Sequence, residues 1–418
     1  MKVSSYFIFL ILGVLSLAAK ANQIRLHSHA ETSLTARMNS LDVAVKKVDI
    51  ETFYLEKDEI GLNILKKLIQ LKSNPEKSAK LKVRLLLDGW GSETLTTEFA
   101  CALIDSKIQV KYFNRSASLL NQIRTHRKIW ITDQIAIIGG RNLSNENFPF
   151  AGNVEPVLSD WDIELYGTIV NEIQQSFDQA WVQAKTIAPN CSQINSSLAL
   201  AEIAAIKPLL LSSTVKQPTW HKAELTWFAD PVGEPVHRPV ANQVFSLIQA
   251  ATKSLELESA FFLPVGIISS ELAKAHQRNV NISFYVNGPN FKSWMASYST
   301  CLPLNELLWW NDQGAQVLFT PKQKPTHSKS LLIDNQVLAI GSFNFDSRSI
   351  NMNAETLLVI KSSPEIFIQF NTEHSRRKQE AVNIVPLNNL FTTYNLTGQQ
   401  AVDCQSKSSL KPLLKYWF

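Results

Sequence analysis

His126-Arg127-Lys128-Ile129-Trp130-Ile131-Thr132-Asp133, followed by Gly139-Gly140-Arg141-Asn142, has a counterpart later in the chain. That counterpart is His327-Ser328-Lys329-Ser330-Leu331-Leu332-Ile333-Asp334, followed by Gly341-Ser342-Phe343-Asn344. In both, His and Lys are two apart and Lys and Asp five apart. On a strand, residues i and i+2 share a face, so His126 and Lys128 are expected to point the same way, as are His327 and Lys329. Ile129, Ile131, Leu331 and Ile333 read as sheet core. An imidazole beside an ammonium is electrostatically poor unless an anion joins them, and a phosphate is the natural guest. Each Lys offers a fixed charge, and Asn142 and Asn344 can each donate an amide hydrogen to a phosphate oxygen. Gly140 and Ser342, inside the same G-[GS]-x-N strings, complete the expected phosphate-binding set; glycine lets backbone approach closely. A single H-x-K means little. Two copies with four matched positions in the same order are hard to attribute to chance.

Two further acids fit this chemistry. Asp162 stands in Asp160-Trp161-Asp162-Ile163-Glu164-Leu165, and Glu355 in Asn353-Ala354-Glu355, each at the start of an apolar strand-like run. A carboxylate accepting from one ring nitrogen would fix the tautomer of a histidine and aim its other nitrogen at phosphorus. Asp162 and Glu355 are therefore expected to orient the two histidines.

The repeat extends outward from the motifs. Lys47 to Tyr54 and Ser254 to Phe261 both alternate apolar with polar residues, the period of a strand. Helical spacing follows in each half, over Gly61 to Leu71 and Ile268 to His276. A buried strand follows that, Val83 to Gly89 and Ile282 to Gly288, each closing in an Asp/Asn-Gly turn signal. Strand, helix, strand in both halves argues for α/β layers rather than an all-β fold or a helical bundle. Thr186 to Trp220 interrupts the pattern, with helix expected around Leu198 to Ile206. The expected organisation is a first half over 22–207, a second over 208–385, and a tail over 386–418 that packs on the core.

The composition is globular: 418 residues, 45% hydrophobic and 18% charged, with a formal charge of +5. That excludes disordered, collagenous and multi-span membrane classes, and the charge is too mild to argue for nucleic acid by itself. Residues 1–21 read as an export signal: Lys2, an apolar run from Tyr6 to Ala19, and Ala19-Lys20-Ala21 as a small-x-small site with cleavage after Ala21. The run is short of the roughly 20 residues a membrane span needs. A periplasmic or secreted protein is expected. Cys101, Cys191, Cys301 and Cys404 could pair there in any of three connectivities, between which the sequence does not choose.

The duplicated H-x-K-x4-D spacing resembles the phospholipase D superfamily. The string Gly341 to Ser349 with Asn353 and Glu355, together with Gly139 to Asn142, is most similar to the bacterial cardiolipin synthase branch, particularly its C-type enzymes. The resemblance implies two α/β-sandwich halves, each a mixed β-sheet flanked by helices, related by a pseudo-twofold, with the active site at their interface. It implies His126, Lys128, Asp133, His327, Lys329 and Asp334 as catalytic residues. It also implies no metal and no cofactor, and the sequence has no H-E-x-x-H string. The expected chemistry is two-step phosphoryl transfer through a phosphohistidine. The resemblance favours the first-half histidine as nucleophile, although the near-symmetry of the motifs leaves that assignment open. The expected partners are a phospholipid substrate, an alcohol or water acceptor, and a transiently contacted membrane surface. Phe148, Phe150, Trp294, Trp309 and Trp310 are candidates to line a lipid cleft. The alternatives are an exported metal-independent nuclease, for which nucleic acid would be the partner, and a non-catalytic binding protein on the same fold. The first half has one residue fewer between Asp133 and Gly139 than the second has between Asp334 and Gly341, which puts the placement of Asp133 in question.

Overall fold

In a computed structural model the described residues are 22–115, 122–148, 158–183, 185–209, 211, 215–291 and 294–411. The expected export signal and Phe150 lie outside them, as does the side chain of Trp294.

Two mixed sheets carry the fold. The first contains β1 (Gln23–His27), β2 (Lys47–Thr52), β3 (Lys82–Asp88), β4 (Gln109–Phe113), β5 (Ile129–Thr132), β6 (Ile135–Gly139), β7 (Asp162–Tyr166), β8 (Thr186–Ile187) and β9 (His221–Lys222). Their spatial order is β8-β4-β3-β2-β5-β6-β7-β1-β9. The second contains β10 (Glu224–Ala229), β11 (Ser254–Ser259), β12 (Asn281–Val286), β13 (Gln316–Phe319), β14 (Lys329–Ile333), β15 (Val337–Gly341), β16 (Thr356–Lys361) and β17 (Val382–Asn383), in the order β10-β16-β15-β14-β11-β12-β13-β17. Eight strands correspond in order: β8-β4-β3-β2-β5-β6-β7-β1 matches β17-β13-β12-β11-β14-β15-β16-β10. The parallel pairs β2/β3 and β11/β12 each enclose a crossover helix, Glu59–Ser73 and Ile267–Gln277, as parallel pairing requires. Asp58 starts the first of these by accepting from the Gly61 backbone at 2.9 Å, an N-cap.

The core is layered. Leu62, Leu65 and Leu68 of the crossover helix pack with Val83, Leu85 and Leu87 on the outer face of the first sheet. Ile268 and Leu272 pack with Leu255, Leu257 and Phe284 on the outer face of the second. Between the sheets, Ile129, Ile131, Ile138 and Ile163 meet Leu332, Leu338, Ile340 and Leu358 in one buried cluster. The alternation along β5 and β14 therefore joins the halves, since one side of each strand faces a shared core. Helices Ile169–Trp181 and Pro364–Gln379 seal the same seam: Trp227 Nε1 donates to Ser176 Oγ at 3.3 Å and Gln369 Nε2 to the Leu26 carbonyl at 2.8 Å.

The change of sheet falls at Ala223, not at the expected 207/208 boundary. After helix Ser197–Ala205, Leu209 and Leu211 still pack on the first core, and His221 pairs with Ile24 on the edge of the first sheet. The tail carries helices Leu387–Thr393 and Gly398–Ser409, and Leu390, Phe391, Tyr394 and Cys404 sit in the second core. The disulfides join Cys101 to Cys191 and Cys301 to Cys404, one within each half. No helix among the described residues is long and apolar enough to cross a membrane.

Candidate active site

Each histidine lies just before its strand, in an extended segment that reaches across to the other half. Thr125 forms a parallel bridge with Ala354, and Thr326 with Ser159. The His126 amide donates to the Ala354 carbonyl at 2.9 Å, and the His327 amide to the Ser159 carbonyl at 2.7 Å. The residue following each bridge partner is an acid, so the crossing places a carboxylate against each ring. His126 Nδ1 donates to Glu355 at 2.9 Å, and His327 Nδ1 to Asp160 Oδ2 at 2.9 Å. Each half supplies a histidine and takes its acid from the other.

This geometry corrects the expectation for Asp162. Its carboxylate accepts from Ser33 Oγ at 2.5 Å and pairs with Arg37 and Arg141, both at 3.1 Å, on the far side of β7. Asp162 is inside β7 and tied to core cations, whereas Asp160 precedes the strand, next to the Ser159 bridge that brings it against His327. The register was the missed signal. Gly139 pairs with Asp162 and Gly341 with Leu357, so counting back two residues from each makes Asp160 the counterpart of Glu355.

Asp133 and Asp334 are also outside the site. Asp133 caps the β5–β6 turn and accepts from the Val45, Lys46 and Lys47 amides, each at 2.9 Å. Asp334 accepts from the Thr252, Lys253 and Ser254 amides at 2.8–3.0 Å. Both adopt positive φ, 46° and 53°, which Asp tolerates better than most residues. They are clasps at the distal ends of their hairpins. The one-residue difference between the motifs is absorbed there: two residues link β5 to β6, and three link β14 to β15.

Lys128 and Lys329 are buried, and each Nζ donates to the carbonyl of its own motif histidine, Lys128 at 2.7 Å. Burial and the neighbouring Lys329 charge lower Lys128 to about 7, and burial lowers Lys329 to about 8. Burial and the lysine charges also push His126 well down and His327 to about 3. Lys128 acts on His327 and Lys329 on His126, which places both motifs in one electrostatic site. Crowded buried cations of this kind favour an anion between them.

The two acids differ. Burial raises Glu355 to about 7, against the opposing pull of Lys128 and of hydrogen bonds from Ser342 and Ser349. Asp160 is equally buried, yet the His327 hydrogen bond and the Lys329 and Arg141 charges outweigh burial and hold it at about 2. Ser342 and Gly140 serve these acids. Ser342 Oγ donates to Glu355, while a Cβ at Gly140 would lie 2.4 Å from the Asp160 carboxylate, so only glycine leaves room there. Asn142 and Asn344 are buried, anchored through their amides by Asn147 Oδ1 and Ser349 Oγ, both at 3.1 Å. Among the described residues neither side-chain Oδ1 has a partner, so both carboxamides remain uncommitted. Phe148 and Trp310 belong to the core, whereas Trp309 is exposed. Sequence reasoning also missed Phe53, whose ring meets His126 edge-on at 5.1 Å. Among the described residues, no three His, Cys, Asp or Glu side chains gather as metal ligands would.

Comparison with known proteins agrees with this architecture. The family model described as "Cardiolipin synthase, PLD-like domain" matches residues 38–181 and 244–377. The chain is 26% identical over 349 residues to cardiolipin synthase A of Pseudomonas fluorescens, covering 81% of this chain and 65% of that relative. It is 23% identical over 406 residues to cardiolipin synthase B of Shigella flexneri, covering 95% of this chain and 85% of the relative. The crystal structure of phosphatidylserine synthase from Haemophilus influenzae superposes with a TM-score of 0.70 at 14% identity, over 94% of this chain and 95% of that one.

Proposed function

The chain belongs to the PLD-like cardiolipin synthase family, and from that premise we propose that it is an exported phosphodiesterase and phosphatidyltransferase acting on phospholipid headgroup diesters. One observation carries the reading: two histidines, each held at Nδ1 by an acid of the opposite half, beside two buried lysines. The arrangement suits a phosphodiester whose non-bridging oxygens sit at Lys128, Lys329, Asn142 and Asn344, where growing charge is stabilised.

In the first step His126 Nε2 attacks phosphorus. The P–N bond forms, the bond from phosphorus to the leaving oxygen breaks, and His327 gives its proton to that oxygen. In the second step His327 takes a proton from water or an alcohol, whose oxygen attacks phosphorus. The P–N bond then breaks and His126 is restored. The acids support this division. The firmly ionised Asp160 stabilises an imidazolium at His327 once phosphate offsets the lysines, which suits the proton donor. Glu355 is less firmly ionised and stabilises a charged ring less, which keeps His126 neutral, and in its ionised form it accepts from Nδ1 and leaves Nε2 free to attack.

Export is supported by the apolar N-terminal run and by the two disulfides, which persist in oxidising compartments. Protein recovered outside the cytoplasm is expected to begin Asn22-Gln23-Ile24; recovery only as the full-length form in membranes overturns export. For the activity, the mature protein is given phosphatidylglycerol with ethanol, beside plasmid DNA, both with EDTA present. Phosphatidylethanol and phosphatidic acid are expected, because lysines rather than a bound cation meet the phosphate charge. Salt-sensitive DNA cleavage with no lipid product overturns the lipid reading in favour of a nuclease.

A further inference from the structure

Behind each histidine stands a second duplicated arrangement. Thr125 and Thr326 immediately precede the histidines, and both are buried. Thr125 Oγ1 donates to Glu51 Oε1 at 2.6 Å, and Thr326 Oγ1 to Glu258 Oε1 at 2.7 Å. The Thr125 amide donates to Asp88 Oδ2 at 3.0 Å, and the Thr326 amide to Asn287 Oδ1 at 2.8 Å. On the other side, the Ala354 amide donates to the Arg124 carbonyl at 2.8 Å, and the Ser159 amide to the Pro325 carbonyl at 2.9 Å. Each threonine is thus gripped by its own half through side chain and amide, while the residues on either side of it are bonded to the opposite half.

The two grips reach the same contact by different means. Glu51 is paired with Arg127 at 3.0 Å, a residue of the motif itself. Glu258 is paired with Arg377 at 3.2 Å, from the helix Pro364–Gln379, and accepts from Trp161 Nε1 at 2.7 Å. The counter-charges differ, yet the carboxylate-to-threonine hydrogen bond recurs. Packing alone does not require it, since valine has nearly the shape of threonine. What the hydroxyl adds is a directional bond to a fixed, buried carboxylate, one residue from the histidine Cα.

We propose that Thr125 and Thr326 are positioning residues which, through Glu51 and Glu258, set the angle at which the two histidines meet phosphorus. The inference rests on the reading that this site turns over a phosphodiester. A near-attack geometry is sensitive to small displacements, and misplacement by about 1 Å can cost on the order of a hundredfold.

The test compares Thr125→Val and Thr326→Val with Thr125→Ser and Thr326→Ser in the mature protein. Phosphatidylglycerol and bis(p-nitrophenyl) phosphate are the substrates, and rates are normalised to folded protein. The valine variants are expected to lose roughly tenfold to a hundredfold in kcat with KM within about twofold. The serine variants, which keep the hydroxyl, are expected to stay within about threefold of wild type by the same argument. A purely structural role would lower the melting temperature and leave kcat of the folded fraction alone. Valine variants at the wild-type kcat, or serine variants falling as far as valine, overturn the inference while the reading of the site stands. Were a valine variant not to fold, Thr125→Ala and Thr326→Ala remove the hydroxyl with less crowding and give the same readout. Failure of every hydroxyl-less variant to fold would make the threonines structural and overturn the positioning role. A wild-type protein that turns over neither substrate overturns both readings together.

Discussion

The two halves of the site share a backbone frame and differ in what surrounds the rings. His126 leans on Glu355, whose carboxyl is raised to about 7, and behind it lies Asp230, itself pushed up to about 7 by burial and by the Glu355 charge. His327 leans on Asp160, held at about 2 with Arg141 nearby. Phe53 covers the edge of His126, while the matching position before Phe261 is Ala260. Duplication therefore fixes where the histidines stand, and divergence around them sets how each holds a proton. A symmetric frame with unequal acids suits a reaction that needs one nucleophile and one proton donor.

The most severe break is at the rings. His126→Ala and His327→Ala are each expected to lower turnover by more than about a thousandfold, because groups acting as a unit fail together. Circular dichroism should show both variants folded. Full activity in one of them would mean that the halves work separately.

Exchanging the acids comes next and separates the halves. Glu355→Gln and Asp160→Asn should each cost roughly a hundredfold to ten-thousandfold in kcat, as when a histidine loses its orienting carboxylate. Their effects on stability should be opposite. Between its ordinary value of 4.5 and about 7, Glu355 holds a proton in the folded chain that the unfolded chain has released, so stability falls as pH rises through that window. Asp160 is depressed from 3.8 to about 2, so its contribution is present above pH 3.8 and lost as pH falls through about 2. At pH 8, Glu355→Gln should therefore melt no lower than wild type, and Asp160→Asn should melt lower. Wild-type kcat/KM should be bell-shaped, falling on the acid side of about pH 7 as Glu355 protonates and on the alkaline side as first Lys128, at about 7, and then Lys329, at about 8, lose their charge. The acid limb should be missing from Glu355→Gln and retained in Asp160→Asn. Equal melting shifts in the two variants would show that the halves do not differ electrostatically.

The sequence was most legible where periodicity and duplication coincide. Alternation at Lys47 to Tyr54 and Ser254 to Phe261, and helical spacing at Gly61 to Leu71, correspond to β2, β11 and the crossover helix within a residue or two. Both H-x-K pairs and Glu355 are brought into one site. Contacts between distant segments were not legible. Asp160 and Asp162 open the same apolar run, and only the register with Gly139 separates them. Asp133 and Asp334 are part of the motif spacing, but they lie at the far end of their hairpins, and spacing along a strand says nothing about which end faces the site. Glu51 and Glu258 looked like the polar half of an alternating strand. Their burial under Thr125 and Thr326 becomes visible only when β2 pairs with β5 and β11 with β14.

The displaced acids give a sharper and smaller pair of tests. Asp162→Asn breaks a buried cluster with Arg37 and Arg141 and should cost about 3–5 kcal/mol of stability, with kcat of the folded fraction unchanged. Asp334→Ala removes a clasp on three backbone amides and should cost about 1–2 kcal/mol, again with kcat unchanged. Urea unfolding and kcat measured on the same samples check both. A kcat loss in Asp162→Asn as deep as that of Asp160→Asn would return Asp162 to the site.

The smallest expected effect concerns Phe53, where the halves differ in bulk rather than charge. Its ring touches His126 edge-on at 5.1 Å, packs against Tyr54 at 4.5 Å and Trp90 at 6.1 Å, and has the Lys128 ammonium 5.5 Å from its centre. On the proposed mechanism, an apolar ring beside His126 would keep water from the phosphohistidine, whereas the matching position beside His327 carries only the small Ala260. Phe53→Ala makes the two sides alike. The ratio of phosphatidic acid to phosphatidylethanol formed from phosphatidylglycerol in ethanol should then rise roughly two- to fivefold, the scale of an aromatic contact worth about 0.5–1 kcal/mol. Phe53→Leu, which keeps apolar bulk, should restore most of the wild-type ratio. An unchanged ratio in Phe53→Ala, with lipid products still formed, would leave the asymmetry of the two halves to their acids alone.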